Sequence, residues 1–140
     1  MPKVKPVLIG WLGAILLISP SLSIAQETSR IPQLHQEYLQ ALRFIGDQQY
    51  DKAVLALERI IKKEPTFHQA YIKLVVAHKE KKALDEAENY FKNLIAVNPE
   101  NPYAYYGLGL VWKEKKAYDQ AVETMMKAVQ LSPGQPRFSR

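Results

Sequence analysis

The chain has 140 residues and no cysteine, and its formal net charge of +5 comes from 19 basic residues against 14 acidic ones. Without cysteine the fold depends on no disulfide. Once Lys3 and Lys5 are set aside, 17 basic residues face 14 acidic ones, too mild a balance to argue a nucleic-acid partner.

Lys3 and Lys5 precede an uncharged apolar run from Val7 to Ile18, followed by Ser19, Pro20 and Ser21 and then Ser23-Ile24-Ala25. A basic start, an apolar stretch and a small-x-small end predict a secretory signal peptide over residues 1–25, cleaved after Ala25. The run falls short of the roughly 20 residues that span a bilayer, and the alternative reading is an uncleaved anchor. No cysteine follows it, which removes a lipoprotein. On either reading the rest of the chain is expected to be exported, to the periplasm or another extracytoplasmic site. Residues 26–33 read as a short polar leader.

From Leu34 onward a 34-residue period governs the sequence. Pro65, Pro99 and Pro133 stand one period apart, as do Asp51, Asp85 and Asp119, and Ala53, Ala87 and Ala121. Leu57, Phe91 and Met125 share a large apolar column, and the string EKKA occurs at Glu80 to Ala83 and again at Glu114 to Ala117. Such a period marks a supersecondary unit that cannot bury its apolar face alone and stacks on its neighbours. Within the units the apolar residues fall at helical spacing, for example Tyr71, Leu74, Val75 and His78, then Ala87, Tyr90, Phe91, Leu94 and Ile95. Each aspartate is expected in the first turn of a second helix, where a carboxylate suits the positive end of the helix dipole. Each proline ends that helix, because it has no amide hydrogen and keeps its predecessor out of helical angles. The predicted units are residues 34–67, 68–101 and 102–135, with a tail at 136–140.

These columns resemble the tetratricopeptide repeat family. The third unit carries the resemblance best, with Ala104, Tyr105, Leu108, Gly109, Trp112, Tyr118, Ala121, Ala128 and Pro133. The second keeps Ala70, Tyr71, Leu74, Ala87, Phe91 and Pro99, and the first keeps Ala41, Phe44, Tyr50, Ala53 and Pro65. The resemblance implies an all-α fold, helix-turn-helix repeats stacked as a right-handed superhelix whose first helices line a concave groove, and no chemistry of its own. Ala41, Val75 and Gly109 would face Ala53, Ala87 and Ala121 across close helix contacts.

By the same geometry the groove would present Tyr38, Leu39 and Leu42, then Ile72, Lys73 and Val76, then Tyr103, Tyr106 and Leu110. That set is mostly apolar and aromatic and suits a protein or peptide partner. The Lys, Asn and Arg clamp by which chaperone-binding members grip a terminal carboxylate is absent, since Tyr38, Leu42, Lys73, Tyr103 and Gly107 occupy that side. Lys79, Lys81, Lys82, Lys113, Lys115 and Lys116 form a basic turn edge. It reads either as a weak contact for an anionic membrane surface or as a solvated edge relieved by Glu80 and Glu114. Val122, Met126 and Val129 lie at i, i+4 and i+7 and predict an apolar stripe at the C-terminal end, for a homodimer or a docking helix. The competing expectation is that the tail folds back with Phe138 over that stripe.

Catalytic and metal signals are missing. His35, His68 and His78 lack ligand spacing, and Gly107 and Gly109 lie inside a helix rather than in a phosphate-binding loop. The expectation is a non-enzymatic, cofactor-free, exported adaptor of a cell-envelope complex. The alternative is a self-associating or membrane-anchored structural subunit of a larger assembly.

Overall fold

The computed structural model describes residues 20–133. The predicted signal run up to Ser19 and the tail with Phe138 lie outside the described residues. Six helices follow in order: α1 Pro20–Gly46, α2 Tyr50–Lys63, α3 His68–Glu80, α4 Leu84–Val97, α5 Pro102–Glu114 and α6 Tyr118–Leu131. No strand occurs among the described residues, so the fold is all-α.

The chain divides into two units, Met1–Gln36 and Glu37–Arg140. In the first, the segment read as a polar leader is helical and belongs to α1. Its hydroxyls turn back on the helix, with Thr28 Oγ1 donating to the Ile24 carbonyl and Ser29 Oγ to that of Gln26, so polar side chains do not interrupt the turn. Among the described residues no helix is long and apolar enough to cross a membrane.

The second unit repeats with the sequence period. Helices α2, α4 and α6 start at Tyr50, Leu84 and Tyr118 and carry Asp51, Asp85 and Asp119 in their first turns. They end at Glu64, Asn98 and Ser132, whose φ/ψ of −140/86°, −138/91° and −140/66° are the non-helical angles that the following prolines impose. The turns between paired helices repeat as closely. Gln48, Lys82 and Lys116 take φ of 59°, 61° and 64°, and the next amide reaches back to Phe44, His78 and Trp112. This is a Schellman closure with a left-handed residue, built here without glycine.

The core lies where paired helices meet. Ala41, Ala53 and Ala87 are fully buried and Ala121 and Val75 nearly so. A Cβ on Gly109 would stand 3.4 Å from the Ala121 carbonyl oxygen, which confirms the close approach expected of the small columns. Tyr71 and Phe91 are the largest fully buried side chains, stacked with ring centroids 6.1 Å apart, and the burial of each contributes about 2–3 kcal/mol. Contacts between repeats are uneven: α3 packs directly on α5, whereas no close backbone approach joins α2 to α4 or α4 to α6. Between the second and third repeats the first-helix layer is therefore the tight inner side and the second-helix layer the spread outer side.

Candidate binding surfaces

The inner layer carries the sequence-predicted groove residues. Tyr38, Leu39, Leu42, Ile72, Lys73, Val76, Tyr106 and Leu110 are all half-buried. Part of each therefore stays open to solvent. Tyr38 sets its ring edge-on to Phe67 at 5.2 Å, and burial pushes its hydroxyl pKa up. Tyr103 departs from the expectation. It is buried, with its ring 5.7 Å from that of Tyr71, because the first turn of α5 is drawn against α3 by Asn101. The Asn101 side chain accepts from the amides of Tyr103 and Ala104 at 3.0 and 3.3 Å and donates to the Tyr71 hydroxyl at 3.2 Å. That hydroxyl donates in turn to the Pro65 carbonyl at 2.7 Å. One chain of hydrogen bonds thus joins the end of the first repeat to the start of the third.

The turn edge differs from a patch of six lysines. Lys79 pairs with Glu114 at 2.7 Å, and Lys81 with Asp51 at 2.9 Å and Glu86 at 3.0 Å. Lys115 pairs with Asp85 and Glu88. Hydrogen bonds from Lys115 and then Lys92 hold the Glu88 carboxyl below its usual range. In the first two repeats the aspartate of the second helix therefore reaches the turn lysine of the next repeat, Asp51 to Lys81 and Asp85 to Lys115. Lys82, Lys113 and Lys116 have no ion pair among the described residues. Asp51, Asp85 and Glu88 lie about 30 residues upstream of their lysines and Glu114 lies 35 downstream of Lys79, so apart from Glu86 nothing local in the lysine runs announces them. Half the lysines of this edge are thus tied to acids, and Asp51 to Lys81 and Asp85 to Lys115 form a seam between repeats.

At the C-terminal end Val122 and Met126 are 59% and 57% exposed, and Val129 is half-buried. The same end holds a cleft of about 500 Å³ lined by Tyr105, Leu108, Trp112 and Met126 among others. An outer cleft of about 390 Å³ opens where α2 and α4 diverge, between Ile61, Tyr90, Leu94 and Val97 with Glu58 at its edge. Burial raises the Glu58 carboxyl and, reinforced by the Glu58 charge, the Tyr90 hydroxyl. The sequence reading missed this outer cleft, because it depends on the divergence of two helices 34 residues apart.

Histidines do not assemble into a site. His35 is exposed, and His78 is buried with both ring nitrogens lacking a hydrogen-bond partner, Glu86 lying 3.9 Å away. Among the described residues no group of three His, Asp or Glu is placed to hold a metal ion.

Comparison with known proteins bears on the whole array. Two models described as tetratricopeptide repeat match residues 44–104 and 83–136, together most of the second unit. No curated protein matches the chain significantly. Among solved structures, MamA 41-end from Desulfovibrio magneticus RS-1 is 23% identical with a TM-score of 0.48, over 75% of this chain and 59% of that one, so the chain spans under two thirds of that protein. PcrH, from Pseudomonas aeruginosa, in complex with the chaperone binding region of PopB is 13% identical with a TM-score of 0.51, over 76% and 86%. The first TPR of Spaghetti (RPAP3) bound to the HSP90 peptide SRMEEVD is 15% identical with a TM-score of 0.50, over 76% and 84%.

Proposed function

The chain belongs to the tetratricopeptide repeat family, and we propose that it is an exported adaptor that binds a protein or peptide segment along its first-helix layer, in the assembly or stabilisation of a cell-envelope complex. The observation that carries the binding reading is the half-exposed band of Tyr38, Leu39, Leu42, Ile72, Val76, Tyr106 and Leu110 on the tight side of the array. Half-buried tyrosine and aliphatic side chains offer contact area at small entropic cost. Structures of similar fold hold such ligands, PcrH a region of PopB and Spaghetti an HSP90 peptide. The band has Lys73 as its one charged member and lacks a carboxylate clamp, so the segment it fits is apolar rather than an acidic tail. Export rests on the Lys3 to Ala25 pattern.

Two measurements test the reading. Replacing Tyr38 and Tyr106 together with serine is expected to leave the helical circular dichroism intact and to weaken capture of the partner from the envelope fraction by about tenfold or more. Capture as strong as the parent's removes the inner layer as the site. N-terminal sequencing of the protein from its native host is expected to begin at Gln26, and a start at Met1 or Pro2 would establish the anchored form instead.

A further inference from the structure

We infer that the open face of the third repeat is a two-fold interface with a second copy of this chain. The boundary between the second and third repeats shows what such a face does when covered. There Tyr71, Leu74, His78 and Phe91 are buried, Phe91 directly beneath Gly107 of α5. Glu88 pairs with Lys115, and Lys92 lies over the Trp112 ring at 5.3 Å from its centroid.

One period later the columns change character. Trp112 replaces His78, Met125 replaces Phe91, and the ionic columns Glu88 and Lys92 become Val122 and Met126, both exposed. Asp119, the counterpart of the paired Asp51 and Asp85, has no ion pair among the described residues. An occupant of this end meets Val122 and Met126 where the covered boundary carries Glu88 and Lys92.

Charge order selects that occupant. The α6 residues lining the end cleft are Gln120, Glu123, Thr124, Met126, Lys127 and Gln130, and these positions are symmetric about Met125. When α6 packs antiparallel on its own copy with the two-fold axis at Met125, Gln120 opposes Gln130, Glu123 opposes Lys127, and Thr124 opposes Met126, each contact occurring twice. Neither Glu123 nor Lys127 has an ion pair among the described residues. The face is therefore complementary to itself in charge, and Tyr105 and Trp112 supply the aromatic anchors.

Sedimentation equilibrium of the full chain, in a mild non-ionic detergent that masks the apolar run of residues 7–18, is expected to show a monomer–dimer equilibrium. Glu123→Lys sets lysine against Lys127 in both contacts, and Lys127→Glu sets glutamate against Glu123. Each is expected to weaken the dimer by about tenfold or more without loss of helicity. An equimolar mixture of the two variants restores association as a heterodimer, because both contacts again join opposite charges. A chain that stays monomeric at every concentration overturns the proposal, as does a dimer indifferent to both substitutions. A monomer that dimerises only after residues 134–140 are removed also overturns it, and assigns the face to that tail.

Discussion

Tyr71 spends its one hydroxyl on two repeats, donating to the Pro65 carbonyl and accepting from Asn101. Tyr71→Phe keeps the ring and leaves the buried Asn101 and the part-buried Pro65 carbonyl without this partner, which is expected to cost about 1–2 kcal/mol. Asn101→Ala also removes the cap of α5, for about 1–3 kcal/mol. Urea denaturation of the two single variants and the double should give a coupling of about 1 kcal/mol, and strict additivity would deny the shared hydrogen bond. His78 acts in the opposite sense. Burial holds its pKa below the ordinary 6.5, with Glu86 only partly compensating, so it stays neutral when folded and the unfolded chain takes up the proton first. Its contribution is present in full above pH 6.5 and is lost as pH falls towards the depressed folded value. His78→Phe puts in that column an aromatic like Phe44 and Trp112. It is expected to flatten the difference in stability between pH 7 and 5.5 relative to the parent. That comparison also separates His78 from Glu58, whose raised pKa acts with the opposite sign.

Helix packing decides the sign of two substitutions that look identical in sequence. Glycine inside a helix costs about 1 kcal/mol relative to alanine, so Gly→Ala should stabilise wherever a methyl fits. At Gly107 a Cβ would lie 2.5 Å from the Phe91 ring, and Phe91 is fully buried and cannot swing aside. Overpacking of about 1–3 kcal/mol exceeds the propensity gain, and Gly107→Ala is expected to destabilise by about 1 kcal/mol. At Gly109 the nearest atom is Met125 Cγ at 2.6 Å, on a flexible, half-exposed side chain that can move. Gly109→Ala is expected to be neutral or stabilising by up to about 0.5 kcal/mol. Thermal melts that rank the two variants in reverse would show that α5 is not pinned on Phe91.

Across the whole array, stability passes only between neighbours, as expected of stacked repeats. The middle repeat is the one that both others lean on. Ala87 is fully buried at its helix contact, and Ala87→Asp forces a charge there without a partner, at a cost on the order of 4 kcal/mol or more. That is close to the entire stability of a small domain. A broad, non-cooperative urea transition is expected, and a sharp transition at the parent's midpoint would mean that the α3–α4 contact does not hold the array together. The inner band and the end face are separate surfaces of this one array, so the serine substitutions at Tyr38 and Tyr106 and the charge reversals at Glu123 and Lys127 are expected to act independently.

Features set by local chemistry were legible in the sequence itself. The 34-residue period located the repeats, Pro65, Pro99 and Pro133 marked the helix ends that their angles confirm, and the alanine columns marked the close contacts. Each is a property of a few consecutive residues that recurs unchanged. Tertiary structure decided whatever depends on residues one repeat apart. It turned Tyr103 from a groove residue into a core one, because Asn101 draws α5 onto Tyr71. It neutralised Lys81 and Lys115 with acids some 30 residues upstream. It placed Gln48, Lys82 and Lys116 in the left-handed region, where glycine would have announced the turn. It opened the cleft between α2 and α4, whose walls come from helices 34 residues apart in the chain. A repeated sequence states what each unit contains, whereas the partner of a side chain is fixed only when the units stack.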